Sequence, residues 1–407
     1  MTVAQRMARL LASSRYAVDL LLRQPETVAI LGDDAQLTPR DRAALQAEAA
    51  ALVGRHAQAE DAVAALRALR RRELLRTAMA DLLGRLTAEQ AGEALSTVAT
   101  VTVEAALAVA LRSVADRRGE VPTRICVVAM GRFGGHESGY GSDADVMFVH
   151  DPLPGADERE AAEAAHAVAE ALRALLARPA PDPPLIIDPG LRPEGRQGPL
   201  VRTLASYRAY YERWSVPWET QALLRAEPAA GDPGLGTRFT ALADQFRYPD
   251  GGIGEASVRE IRRIKARMEA ERMPRGVDPA LHLKLGPGGL SDVEWVVQLL
   301  QLRHAYAVPA LRTTRTLAGL AAAVEAGLAD EQDAAALATA WRLAARIRDA
   351  VVLVRGRASD VIPARSSEVA AVASVLGYPP GAGQDLEQDY RRAARRARAV
   401  MERLFYG

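Results

Sequence analysis

The chain has 407 residues, enough for two or three domains that each bury a core. Hydrophobic residues make up 49% and charged residues 25%, and the formal net charge of +1 gives no electrostatic case for non-specific nucleic-acid binding. No apolar run reads as long enough to span a membrane, MTVAQRMARL has no signal-peptide core, and the lone Cys126 allows no intrachain disulfide. The expected setting is a reducing cytoplasm.

Residues 1 to about 115 show apolar positions at helical spacing, as in MARLLASSRYAVDLLLRQPETVAILG and AVAALRALRRRELLRTAMADLLGRL. The basic cluster Arg70-Arg71-Arg72 lies within the second stretch and is expected to be a solvated face. Gly119 to Thr123 read as a connector.

The stretch RICVVAMGRFGGHESGYGSDADVMFVHD, Arg124 to Asp151, carries the chemistry. Ile125 to Met130 read as a buried strand that breaks at Gly131, and Val146 to Val149 as a second strand. At the mouth of the second stand Asp143 and Asp145, one residue apart, so that both carboxylates leave the same face with Cα atoms roughly 6–7 Å apart. Two such carboxylates repel unless a cation sits between them, and Mg²⁺ is commonly held by one or two carboxylates plus phosphate oxygens. Gly134 and Gly135, without Cβ atoms, are expected to bring backbone N–H groups to a triphosphate.

A two-metal site needs a further acid. Pro184 to Asp188 read as a short strand ending in Asp188, the expected third ligand; the following loop offers Arg192 and Arg196, whose guanidinium groups suit phosphate oxygens. Tyr207 to Arg225 is aromatic-rich and is read mostly as packing. After residue 251 the chain turns helical again. In LHLKLGPGGLSDVEWVVQLLQLRH, Ser291 and Glu294 fit a capping box, while Gly286, Gly288 and Gly289 lead into the helix with Lys284 nearby, a loop able to hold an anion. Of 52 basic residues only Lys265 and Lys284 are lysine, and Lys284, beside this loop, is the stronger candidate for a functional ammonium. The last helix, YRRAARRARAVMERLF, reads as a surface face, and the six histidines show no zinc-ligand spacing. The expected fold is α+β and mostly helical: an N-terminal helical region, 1–117; a small mixed-sheet domain, 118–250; and a C-terminal helical bundle, 251–407.

Gly134-Gly135, Asp143-x-Asp145 and a later strand Asp resemble the DNA polymerase β-like nucleotidyltransferase superfamily. The longer string, through Gly131, Arg132, Gly134, Gly135, Glu137, Ser142, Asp143 and Asp145, is similar to the glutamine-synthetase adenylyltransferase family. So are Lys284, Gly286, Gly288, Gly289, Asp292 and Glu294, and the run holding Trp218, Glu219 and Gln221; the family's usual Arg is replaced by Glu227. The resemblance covers nearly the whole chain and is closest to the C-terminal, adenylylating copy of a catalytic unit that the family repeats. It implies transfer of AMP from ATP to a tyrosine of glutamine synthetase. Asp143, Asp145 and Asp188 would hold Mg²⁺, Gly134, Gly135 and Ser142 would cradle phosphates, and Arg192 and Lys284 would offset charge on pyrophosphate. A PII signalling protein is a further implied partner. Removal of AMP by phosphorolysis, uridylylation of PII, and a silent scaffold that binds PII or the synthetase remain open alternatives.

Overall fold

The computed structural model describes residues 1–407. Five helices come first: α1 Val3–Ser13, α2 Arg15–Arg23, α3 Arg42–Gly54, α4 Ala59–Leu82 and α5 Ala88–Arg118. Thr2 and Thr87 close capping boxes with Gln5 and Gln90 at the starts of α1 and α5, and Asp41 caps α3. Helix α5 corrects one expectation. It is 31 residues long, and its most apolar window, of mean hydropathy 1.8, is long and apolar enough to cross a membrane; 72% of that window is buried inside the fold, as in a core helix.

The sheet-bearing part runs β1 Thr123–Ala129, α6 Gly131–Gly134, β2 Ala144–Pro152, α7 Glu158–Ala177, β3 Ile187–Asp188, β4 Val201–Thr203, α8 Leu204–Arg213, α9 Pro217–Ala222, β5 Glu227–Gly231 and α10 Pro233–Arg247. The strand order is β3-β2-β1-β5, with β4 also pairing to β2; β1 is antiparallel to β2 and β5, and β2 is parallel to β3 and β4. Both faces of the central strands are covered, so β1 and β2 read as nearly continuous apolar runs. Their side chains still divide by alternation. Ile125, Val127, Val146 and Phe148 pack toward α5 and α7, while Cys126, Val128, Met147 and Val149 pack toward Tyr207 of α8 and Phe239 of α10.

Strand β3 is shorter than the expected Pro184–Asp188. Pro183 and Pro184 have no N–H to offer a ladder, and their carbonyls accept instead from Arg70. The arginine cluster is therefore not a solvated face. Arg70 is buried on these carbonyls, Arg71 pairs with Asp182 at 2.5 Å, and Arg72 pairs with Glu48. With Arg67 on the terminal carbonyls of α7, α4 holds the segment that leads to Asp188.

The C-terminal helices are α11 Glu255–Arg272, α12 Leu290–His304, α13 Thr316–Glu325, α14 Glu331–Arg355, α15 Ser366–Val375 and α16 Gly383–Met401. Their core takes in Leu10, Tyr16, Leu20, Leu75 and Met79 from α1, α2 and the end of α4. The beginning of α4, with α3 and α5, joins the core of the sheet instead. The N-terminal helices are thus shared between two cores.

Candidate active site

Strand β1 ends at Ala129 and the chain turns at Gly131, in the left-handed region at φ 54°. A Cβ on Gly131 would lie 2.5 Å from Asp145 Oδ2, so only glycine lets the backbone pass over that carboxylate. Met130 N–H donates to the Asp145 carbonyl at 2.8 Å, which ties the turn to the first residues of β2. On the other side of β2, Asp145 pairs with Asp188 of β3, and Ala144 N–H donates to the Ile186 carbonyl. Asp188 Oδ1 accepts from Gly190 N–H at 2.8 Å, which fixes its carboxylate at the strand end.

Electrostatics bring Asp143 and Lys284 to the same place. Burial, then the charge of Asp188, push the Asp145 carboxyl up to about 6, with Lys284 opposing and Asp143 adding to the rise. Burial and Asp188 also raise Asp143, again against Lys284. The charges of Asp143, Asp145 and Asp188 thus act on one another, and the exposed Lys284, from the stretch leading into α12, opposes them. No group of three or more His, Cys, Asp or Glu side chains is placed to hold a metal ion. Positive charge brought beside Asp145 would offset the burial, and the charges of Asp188 and Asp143, that raise it.

Other expected residues are placed differently. Gly134 and Gly135 N–H groups donate back to Met130 and Gly131 carbonyls rather than outward. Added Cβ atoms would lie 1.9 Å from the Arg225 carbonyl and 2.0 Å from its Nη1, so this pair admits Arg225 rather than a phosphate. Ser142 Oγ accepts from Gly139 N–H at 2.8 Å and closes the turn that presents Asp143. Arg192 is buried, and its three nitrogens donate to the carbonyls of Gly198, Pro189 and Arg196, so it braces its own loop. Arg196 side chain is exposed on that loop.

The second glycine loop also differs. Helix α12 has Gly289 as its N-cap, and no side chain caps it. Asp292 reaches back to Gly288 N–H at 2.7 Å, while Leu290 and Ser291 donate to Leu283 and Lys284 carbonyls, so the expected Ser291 box does not form and these N–H groups are taken. A Cβ on Gly288 (φ 74°) would lie 1.8 Å from the Ala394 carbonyl, and one on Gly286 2.2 Å from the Pro279 carbonyl. Only Lys284 of this stretch faces the acids. Lys265, rated the lesser lysine, is wholly buried, 2.6 Å from Asp292 and 2.8 Å from Glu269.

Sequence reasoning gave no role to the clamp around the loop between the two motifs. Glu137 Oε2 accepts from Arg225 Nη1 at 2.7 Å and Thr316 Oγ1 at 2.9 Å, and its Oε1 from Thr316 N–H at 2.6 Å. Tyr140 N–H donates to Asp349 of α14 at 3.3 Å, and Asp349 is pushed up to about 7 by burial and then by Asp81. Glu227 accepts from Thr314 and from His136 Nε2 at 3.0 Å, a hydrogen bond that raises the His136 pKa. The partners lie 87 to 209 residues apart along the chain, so only the strings around Glu137 signalled them.

A mixed sheet with paired acids at the end of one strand and a third on its parallel neighbour defines a nucleotidyltransferase core of the DNA polymerase β-like kind. The chain belongs to the glutamate-ammonia ligase adenylyltransferase family, whose family model matches residues 4–242. A second family model, described as GlnD PII-uridylyltransferase, matches residues 260–405. Curated relatives named bifunctional glutamine synthetase adenylyltransferase/adenylyl-removing enzyme include those of Streptomyces coelicolor, 55% identical over 99% of this chain and 42% of the relative, and Streptomyces avermitilis, 56% identical over the same shares. The Mycobacterium avium relative is 50% identical over 99% of this chain and 41% of its own length. The chain thus spans about two fifths of the length of these relatives.

Proposed function

We propose that the chain transfers AMP from ATP to a tyrosine hydroxyl of glutamine synthetase, releasing pyrophosphate. The register pairing of Asp145 with Asp188 across β2 and β3, with Asp143 two residues before Asp145, supports this reading. Asp143, Asp145 and Asp188 would hold Mg²⁺ together with phosphate oxygens and water. When bound, Mg²⁺ supplies positive charge that polarises the phosphoryl oxygens and steadies the triphosphate. Asp188 takes the tyrosine proton as the tyrosine oxygen bonds to the α-phosphorus and the bond to the β-phosphate oxygen breaks. Lys284 offsets charge on the departing pyrophosphate, Arg196 is the arginine of its loop free to meet a phosphate, and Arg192 keeps that loop in shape. The sheet unit 118–250 supplies the acids and the helices after 251 the ammonium, in a cytoplasmic enzyme.

The relatives' printed names also include adenylyl removal, which would run over the same acids with phosphate as the acceptor. The match of residues 260–405 favours a PII protein as a regulatory partner. Asp143→Asn and Asp145→Asn each remove one negative charge from the site, and each should lower AMP transfer to purified synthetase at least about a hundredfold, a loss of roughly 3 kcal/mol. Rates within a few-fold of the parent for both variants would discard the assignment.

A further inference from the structure

A cleft of about 600 Å³ lies between α9, α11 and α12, a size suited to a small organic ligand. Trp218, Trp295 and Leu191 line it, and Leu191 stands three residues beyond Asp188 in the chain. Trp295 is held by Phe405 at 6.2 Å between ring centroids and by the Lys265 ammonium 5.9 Å from its own centroid. Two glutamines meet in the wall. Gln221 Nε2 donates to Gln298 Oε1 at 2.6 Å, and Gln221, only 4% exposed, leaves its Oε1 with no partner. A buried amide oxygen without a donor is an uncommon expense in a folded protein.

We propose that this cleft is the subsite for the purine base of the nucleotide and that the Gln221–Gln298 pair selects adenine. The assignment rests on the nucleotide-transfer reading above and adds which base is taken and by what. Adenine presents a donor, its N6 amine, beside an acceptor, N7, and a glutamine amide matches that edge with one acceptor and one donor. Gln221 Oε1 receives the N6 proton and an amide N–H of the pair meets the ring nitrogen. Guanine carries O6 where adenine carries its amine and would set two acceptors against each other. The indoles of Trp218 and Trp295 offer faces on which a base stacks.

Two chains of neighbouring residues lead from the cleft wall toward the acids. Gln298 lies one turn, about 6 Å, along α12 from Glu294. Glu294 Oε1 lies 4.0 Å from Arg132 Nη1, and Arg132 follows Gly131, whose backbone crosses the Asp145 carboxylate. On the other side, Leu191 of the cleft wall follows Asp188 by three residues.

Calorimetric titration of the full chain in Mg²⁺ with ATP, GTP and inorganic tripolyphosphate tests this. The parent should bind ATP at least about tenfold more tightly than GTP. Gln221→Leu and Gln298→Leu should each weaken ATP about tenfold, bring ATP and GTP nearly level, and leave tripolyphosphate affinity unchanged. Gln298 is only half-buried, so its variant decides if Gln221→Leu loses tripolyphosphate through misfolding. Variants that keep the parent's ATP preference, or a parent without one, would overturn the base assignment while leaving nucleotide transfer standing. Variants that keep ATP affinity but lose affinity for the protein acceptor would give the cleft to the acceptor and overturn it as well. A parent that binds neither ATP nor tripolyphosphate would instead remove the transfer reading on which the assignment rests.

Discussion

At the scale of single residues, most of the motif's invariant-looking chemistry is internal wiring around three acids. Arg225 is 5% exposed and Glu137 6%, so each neutralises the other where water cannot. Removing one member leaves a buried charge alone, and Arg225→Met should destabilise the chain by about 3–5 kcal/mol in urea unfolding. A loss below about 1 kcal/mol would show that water already reaches the pair. His282 gives the residue-scale pH dependence. Its Nδ1 accepts from Lys284 N–H at 3.3 Å and Leu285 N–H at 3.1 Å, and burial lowers its pKa below the ordinary 6.5. The folded protein therefore binds this proton less readily than the unfolded chain. The stability contributed by the neutral ring is present above 6.5 and falls as pH drops through the lowered folded value. In His282→Asn the amide oxygen can replace the acceptor without titrating, so melting temperature should depend less on pH on the acid side of 6.5 than in the parent. Parallel curves for the two proteins would count against this role.

At the scale of elements, the loop of residues 284–289 shows how a functional side chain is held from a distance. Asp292 receives Gly288 N–H, the buried Lys265 and Arg398 of α16, so helices α11, α12 and α16 jointly fix the loop that bears Lys284. Gly288→Ala would drive a methyl into the Ala394 carbonyl at a left-handed φ, and should cut the transfer rate at least as far as Lys284→Met does. Lys284 is exposed, so Lys284→Met should lower turnover about tenfold or more with a stability change within about 0.5 kcal/mol, read from paired rate and unfolding measurements. Strands β1 and β2, and the position of Asp188 at the end of β3, were legible because continuous apolar runs broken by Gly or ended by Asp are local patterns. The roles of Gly134 and Gly135 were not. A glycine signals close approach, but only the fold shows that the approaching group is Arg225, ninety residues away, and not a ligand. The Ser291 box failed for a related reason: Asp292, one residue on, captures Gly288 N–H, and the helix starts at Leu290 instead. The role of Arg70 and Arg71 was hidden likewise, because their partners at 182–184 lie across the fold.

Across the whole molecule, the site is assembled from both sides of a shared helical frame. Helix α4 puts Leu66 and Leu69 into the core of the sheet and Leu75 and Met79 into the core of the C-terminal helices. The loop between the motifs is gripped by Thr316 and Asp349, both from the C-terminal helices. Such interlocking couples the two cores, so calorimetric unfolding should show a single transition, whereas two well-separated ones would mean that the cores melt independently. On the proposed reading, the same coupling gives the C-terminal helices a part in the chemistry through Lys284. The central claim is adenylyl transfer at the carboxylates, and it is tested most directly by incubating the chain with Mg²⁺, unmodified glutamine synthetase and ATP labelled at either the α- or the γ-phosphate. Label should reach a tyrosine of the synthetase from the α-position alone, and Asp145→Asn should abolish it. Label from the γ-position, no label from either, or undiminished labelling by Asp145→Asn would contradict the account.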